Sequence, residues 1–395
     1  MLPISIDAYT LTSAAGVGVK AIGASLRKQS SGLRPNDFAP AIGLATWIGR
    51  VDAVEDVVLP TAWRDYDCRN QRLACLGLEQ DDFPTQVAAA RQRYGASRIG
   101  CLIGSSTSGI LETELEFRAR KNPDSGLSNS FSFSHHHSLA AVSDFVRKYL
   151  GLGGPAWTVS TSCTSSAKVF AAASRMLDAD ICDAVVVGGV DSLCLTTLHG
   201  FHSLELLSDA PCQPFASGRK GISVGEAAGF ALLSRSKESD QALWGWGESS
   251  DGYHISTPAP DGAGALAAMR QALYQAALTP HDIDYINMHG TATINNDRAE
   301  ESAVLNLFGG DVPCSSTKGW TGHTLGAAGI TEAVISILCL HQGMLPGNLN
   351  TLEFDPAFKC NLIGANRSMP IRRVLTNSFG FGGSNCSLIF GCPER

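Results

Sequence analysis

The chain has 395 residues, 44% hydrophobic and 17% charged, which is enough apolar content for a large buried core and speaks for two or three domains. Its 30 basic against 37 acidic residues leave a formal charge of -7, which gives no support for binding to nucleic acid. No stretch approaches the about 20 apolar residues of a membrane span, and the opening MLPISIDAYT lacks a basic region followed by an apolar one, so a cytoplasmic protein with no membrane partner is expected.

In chain order, the run RIGCLIGSS from Arg98 reads as a strand, 138–150 as a helix, AWTVST from Ala156 as a strand, 163–177 as a helix and DAVVVGG from Asp183 as a strand. Between the first two lies SNSFSFSHHHS, with His135, His136 and His137 in succession. Adjacent side chains cannot converge on one ion, so a loop at a subunit contact is expected there rather than a metal site. LLSRSKESDQA, over 232–242, is charged and without apolar period, and marks the best internal boundary. A similar alternation then returns: strand ALWGWGES, helix 262–277, strand DYINMHG, helix 297–308, strand DVPCSS, helix 325–341, and the strands RRVLTNSF and CSLIFG. The alternation predicts an α/β fold in two halves, 1–240 and 241–395.

The 12 cysteines stand singly, at Cys68, Cys75, Cys101, Cys182 and onward, with no CxxC pair, as suits small buried residues in a reducing compartment. Cys163 differs. In VSTSCTSS (159–166) it sits where strand gives way to helix, and the unpaired amides of a helix N-terminus favour a thiolate nucleophile. HGTATINND (289–297) and STKGWTGHTLGAAG (316–329) each supply a histidine beside glycine, His289 and His323, and NSFGFGGSN (377–385) supplies a glycine-dense turn whose amides can approach a ligand closely.

These four segments, with GSSTSG from Gly104, VVVGGVDS from Val185, PFASGRKGISVGEAAG from Pro214 and SSDGYHISTPAPDG from Ser249, resemble in order and wording the β-ketoacyl-[acyl carrier protein] synthases of the thiolase-like superfamily. The resemblance runs over nearly the whole chain. It implies an αβαβα five-layered sandwich of two pseudo-symmetric halves, and a condensing enzyme that joins a Cys163-bound acyl chain to malonyl on acyl carrier protein. It implies further that the amides of Cys163 and Phe381 form an oxyanion hole, that His289 and His323 hydrogen-bond the enolate left by decarboxylation, and that Lys318 is a buried charge paired with Glu300. By the same resemblance Thr291 and Thr293 contact the phosphopantetheine arm, Phe379 and Phe381 form the gate, and Thr107 lies along the acyl pocket. No metal or organic cofactor is required by this chemistry.

The expected partners are acyl- and malonyl-loaded carrier protein and a second subunit, identical or related, paired through GPAWTVST. An acidic carrier needs basic residues near the tunnel mouth, for which Arg64, Arg69, Arg72, Arg118, Arg120, Lys121 and Arg219 are the candidates; solvated helix faces are the alternative. Three departures from the family's wording stand out: Ser162 and Thr164 flank the cysteine, Ala292 replaces a glycine or serine, and Ala216 replaces an aspartate near Arg219. A coenzyme A-dependent thiolase or starter synthase is the alternative enzyme, opposed by the second histidine and by the position of Cys386 in an apolar strand. A non-catalytic chain-length factor is opposed by the full set of reactive residues, whereas a catalytic subunit dependent on such a partner stays open.

Overall fold

The computed structural model describes residues 2–122, 124, 126–128, 131–236 and 238–392. Ten strands carry the architecture: β1 (Ile4–Ser13), β2 (Ile99–Gly104), β3 (Ala156–Val159), β4 (Ala184–Asp191), β5 (Ala227–Ser234), β6 (Ala242–Ser250), β7 (Tyr285–Asn287), β8 (Pro313–Ser315), β9 (Arg373–Gly380) and β10 (Ser384–Gly391). In space they run β8-β7-β9-β10-β6-β1-β5-β4-β2-β3. The first five and the last five therefore repeat one order, third-second-fourth-fifth-first. The pairing directions repeat as well, parallel around β2 and β7 and antiparallel along β4-β5-β1 and β9-β10-β6. The two sets meet where Ile4 pairs with Leu243 and Ser5 with Ala242. Internal symmetry absent from the sequence is thus present in the topology, and the fold is the thiolase-like five-layered sandwich.

The helices that concern the site are α1 (Arg69–Leu78), α2 (Ala140–Tyr149), α3 (Ser165–Asp178), α4 (Ala263–Ala276), α5 (Ile294–Phe308) and α6 (Ala328–Gln342). Central strands such as β4, AVVVGGVD, are buried along their whole length, as expected of a run covered by helices on both faces. α3 and α6 form the middle layer; every residue of 328–340 is buried. The stretch Leu325–Gln342, with a mean hydropathy of 1.4, is long and apolar enough to cross a membrane, contrary to the sequence expectation, yet 89% of it is buried inside the protein as core.

Sequence periodicity located α2, α3, α4, α5 and α6 to within a few residues. It passed over β1, β5 and the helices Val19–Lys28, Arg69–Leu78, Phe83–Tyr94, Ile110–Ala119 and Leu195–Ser203. β5 runs through Ser234, so the charged segment expected as a boundary from 232 begins inside a strand. The three histidines do not converge. His135 Nδ1 meets Ser132 Oγ at 2.9 Å and His137 Nδ1 meets Thr113 Oγ1 at 2.9 Å, while His136 Nδ1 accepts the Ser132 N–H at 3.4 Å.

α3 follows β3 and α6 follows the equivalent β8, so their N-termini converge. Gly329 makes the approach possible: a Cβ there would lie 2.3 Å from Ala167 N. Gly329→Ala should therefore force the two helix starts apart and destabilise the fold by about 1–3 kcal/mol. An unchanged denaturant midpoint would contradict this packing.

Candidate active site

Cys163 stands on the turn from β3 into α3. Ser162 before it takes φ 56°, a left-handed conformation that costs an L-residue about 1–2 kcal/mol. Neighbours impose it: the Ser162 carbonyl accepts hydroxyl hydrogen bonds from Ser165 at 2.6 Å and Ser106 at 3.3 Å. Ser108, Ala292 and Leu325 also have positive φ, so each loop that borders the site carries a backbone conformation held by its surroundings.

His323 Nε2 lies 3.0 Å from Cys163 Sγ, and the rings of His289 and His323 meet edge to face with centroids 5.3 Å apart. All three side chains are buried. The Phe381 N–H points at the Cys163 sulfur, and Gly380 packs so closely that a Cβ on it would lie 3.2 Å from Cys163 N. Burial pushes the thiol up to about 12, with the Lys318 charge and the Phe381 N–H acting the other way. A resting thiol therefore replaces the thiolate expected from the helix N-terminus: desolvation outweighs the amides. Burial first, and then the Lys318 charge, hold both histidines well below the usual imidazole range, so both are neutral.

Lys318 opens the short helix Lys318–Thr321 and is buried. Its ammonium donates to the His289 carbonyl at 2.5 Å, lies 3.3 Å from His289 Nδ1 and pairs with Glu332 on α6. The pairing with Glu300 is thereby corrected. Glu300, on α5, accepts the backbone N–H groups of His289 and Gly290, each at 2.7 Å, and the Asn377 amide at 3.1 Å. It binds the backbone behind the histidine, not the lysine. Glu332 was legible as the single charge in the apolar run AGITEAVISILCL, since a carboxylate in a wholly buried helix needs a cationic partner. Asp191, at the end of β4, was also passed over. It accepts the N–H groups of Ser106, Thr107 and Gly326 and the hydroxyls of Ser105 and Thr107, and so ties the GSSTSG loop to the turn after His323. Thr107 is spent on that contact.

A cavity of about 240 Å³ opens onto these groups. Cys163, His289, His323, Phe379 and Phe381 line its reactive end, Thr291 and Thr293 one wall, and Phe201, Leu204, Leu206 and Ile222 an apolar side; Thr107 is not part of the lining. The two threonine hydroxyls are 2.9 Å apart, and the Phe201 and Phe381 ring centroids 5.7 Å. Cys386 is fully buried inside β10, away from the cavity.

The basic candidates separate. Arg69 is buried and bonds Glu226 and Glu55, and Arg219 is buried between Asp297 and Asp355 at 3.5 and 3.0 Å; neither is a surface docking residue. Asp355 and Asp297 also supply Arg219 with the charge that Ala216 lacks, so the loop remains tied. Arg72 pairs with Asp67 at 2.6 Å, Arg120 lies over the Phe117 ring at 5.2 Å, and Arg64, Arg118 and Lys121 are exposed.

Residues 84–239 match the family model described as beta-ketoacyl synthase, N-terminal domain, and 242–352 that of the C-terminal domain. The chain is 36% identical over 310 residues to 3-oxoacyl-[acyl-carrier-protein] synthase 2 of Rhizobium meliloti (strain 1021), covering 73% of each. It is 36% identical over 271 residues to the mitochondrial 3-oxoacyl-[acyl-carrier-protein] synthase of Arabidopsis thaliana, a match spanning 63% of this chain and 59% of that protein. Among solved structures, a chain from the complex of a ketosynthase with its chain length factor from Xenorhabdus doucetiae superposes with a TM-score of 0.92 at 37% identity, over 99% of this chain and 98% of that one.

Two outcomes follow from the charges. Glu332→Ala leaves the Lys318 ammonium buried without its carboxylate and should cost about 3–5 kcal/mol, most of it recovered in Lys318→Met/Glu332→Gln; denaturant midpoints check both. With the thiol at about 12, inactivation of the resting protein by iodoacetamide should still accelerate through pH 9. A rate that levels off below pH 7 would mean a preformed thiolate.

Proposed function

This chain belongs to the beta-ketoacyl synthase family, and we propose that it catalyses the decarboxylating Claisen condensation of a Cys163-bound acyl chain with malonyl-ACP to give 3-oxoacyl-ACP, in fatty acid or polyketide synthesis. The observation that carries this reading is one sulfur and two neutral imidazoles around a single half-apolar cavity.

In the acyl-transfer step the Cys163 sulfur attacks the thioester carbonyl of the incoming chain. The C–S bond to the carrier breaks, and the carrier thiol leaves with the proton given up by Cys163. The negative oxygen formed in between is held by the N–H groups of Cys163 and Phe381, donors fixed before the charge develops. In the second step the carboxylate C–C bond of malonyl breaks. Carbon dioxide leaves, its electron pair becomes the enolate, and the enolate carbon attacks the acyl carbonyl and expels Cys163. The enolate oxygen needs N–H donors, and both imidazoles have reason to carry their proton on Nε2. Lys318 has only protons to offer His289 Nδ1, so that nitrogen keeps its lone pair. His323 Nδ1 is buried with no hydrogen-bond partner among the described residues, and an orphaned N–H there is costlier than an orphaned lone pair.

Thr291 and Thr293 take the amides of the phosphopantetheine arm, and Phe379 with Phe381 gates the way from cysteine to the apolar side. The X. doucetiae structure holds a ketosynthase in complex with its chain length factor, and the same arrangement suits this chain. β3 is a sheet edge with one neighbour among the described strands, and its Trp157, with Leu139 and Phe133 nearby, is exposed, 42%, 38% and 63% respectively, a surface for a related subunit. Arg64, Arg72, Arg118, Arg120 and Lys121 remain for an acidic carrier, and the reaction is assigned to the cytoplasm.

Intact-mass analysis after incubation with acyl carrier proteins, with and without a chain-length-factor partner, tests the reading. Acylation of the wild type but not of Cys163→Ala, then a product two carbons longer on adding malonyl carrier, is the expected result. An acyl group retained by Cys163→Ala would reject the nucleophile. His289→Ala should still acylate while losing on the order of 10²–10³ in the condensation rate, the usual effect of removing one oxyanion donor.

A further inference from the structure

The groups at the reactive end of the cavity also compose a ligand set for a soft divalent metal. One ligand atom each of Cys163, His289 and His323 lies within 4.8 Å of the others. A sulfur and two imidazoles converging on one point, with a fourth position open to a cavity, are the donors of tetrahedral Zn²⁺, whose bonds of about 2.3 Å to sulfur and 2.0–2.1 Å to nitrogen place ligand atoms roughly 3–4 Å apart. The backbone already holds both histidines in place: the His323 N–H donates to the Ser223 carbonyl at 2.7 Å, and the His289 N–H donates to Glu300 at 2.7 Å. Only a small contraction separates this arrangement from a metal site.

One charged group opposes it, in addition to the cost of an N–H at His323 Nδ1, which has no partner among the described residues. Ligating histidines in zinc sites hand their second ring N–H to a carboxylate or carbonyl, which leaves the metal-facing nitrogen bare. Here the group 3.3 Å from His289 Nδ1 is an ammonium, which donates and does not accept. It assigns the ring proton to Nε2, the atom a metal would need, and adds a positive charge close behind the ring. Glu332 and the His289 carbonyl hold that ammonium in position.

We propose that Cys163, His289 and His323 form a latent zinc site that the Lys318 ammonium keeps closed, so that Lys318 excludes metal as well as orienting His289. Binding of Zn²⁺ would displace the Cys163 thiol proton to solvent and move the His289 and His323 protons from Nε2 to Nδ1; Lys318 obstructs the first move at His289 Nδ1, and the second leaves the His323 N–H without an acceptor among the described residues. This inference rests on the geometry of the three ligands and holds whatever acyl chain the site accepts.

Equilibrium dialysis against ZnCl₂, with metal content and Co²⁺ absorption as readouts, tests it without any assay of turnover. Lys318→Met should bind one Zn²⁺ per chain about 10–100-fold more tightly than the wild type, the range that outer partners of ligating histidines command. Lys318→Met/Glu332→Gln removes both buried charges together and should show the same gain if the single variant folds poorly. Cys163→Ser placed in either background should abolish the gain and the sulfur-to-cobalt band. Zinc bound no more tightly by the folded double variant than by the wild type would overturn the proposal, as would a gain that survives Cys163→Ser.

Discussion

The close contact between the N-termini of α3 and α6 governs this molecule. Each helix follows the third strand of its half, so the internal two-fold brings the residues just ahead of the helices, Cys163 and His323, to the same place. The contact is tight because the facing residues are small: Gly329 lies against the Ala167 backbone, and the Ile330 N–H donates to Ser166 Oγ at 2.9 Å. Helix starts expose N–H groups without intrahelical partners, and here two such ends border one cavity. The reactive pair is thus a consequence of topology plus a few residues without bulk, and the left-handed Ser162 and Leu325, one in each half, are its backbone cost.

Charge is arranged around that contact in a consistent way. Among the described residues, Asp251 is the one acid in the cavity lining, and it accepts the Asn385 amide at 2.7 Å. The remaining carboxylates sit one layer back: Asp191 under the GSSTSG loop, Glu300 under the His289 backbone, Asp297 under Ala292 and Phe215, and Glu332 beneath Lys318. All four are buried, and three of them are met by backbone N–H groups, which makes each a staple between a loop and the core. Such groups position neutral imidazoles without adding a further negative charge to the cavity lining.

Much of this was readable beforehand, and for identifiable reasons. The reactive residues lie in glycine- and hydroxyl-rich turns whose wording is distinctive, so Cys163, His289, Lys318 and His323 were picked out together and they do adjoin one cavity or its floor. α6 was recognisable from its apolar run, broken by one charge, and β4 from its valines. Partner choice was not readable. Glu300 and Glu332 are both acids on helices, one 18 residues before Lys318 and the other 14 after it, and only the fold tells which reaches the ammonium and which reaches the backbone. Arg69 and Arg219 look like any surface arginine in a string of letters; burial against Glu226, Asp297 and Asp355 depends on segments more than 70 residues away. β1 and β5 were missed because alternation is weak in strands covered on both faces.

The electrostatic roles of Lys318 are then best understood together. A buried ammonium without a carboxylate is costly, and a buried carboxylate without an ammonium is costly as well, so Lys318 and Glu332 are retained or lost as a pair. With Glu332 taking one proton of the ammonium and the His289 carbonyl another, the third is left to His289 Nδ1. That single assignment fixes the tautomer and aims Nε2–H at the cavity, while burial first and like-charge repulsion from the ammonium second keep the imidazole neutral. A carboxylate in the same position would reverse each effect: it would draw the proton to Nδ1, favour an imidazolium and bare the nitrogen that a metal binds. The sign of the charge behind one histidine thus decides whether its Nε2 faces the cavity as a hydrogen-bond donor or as a ligand.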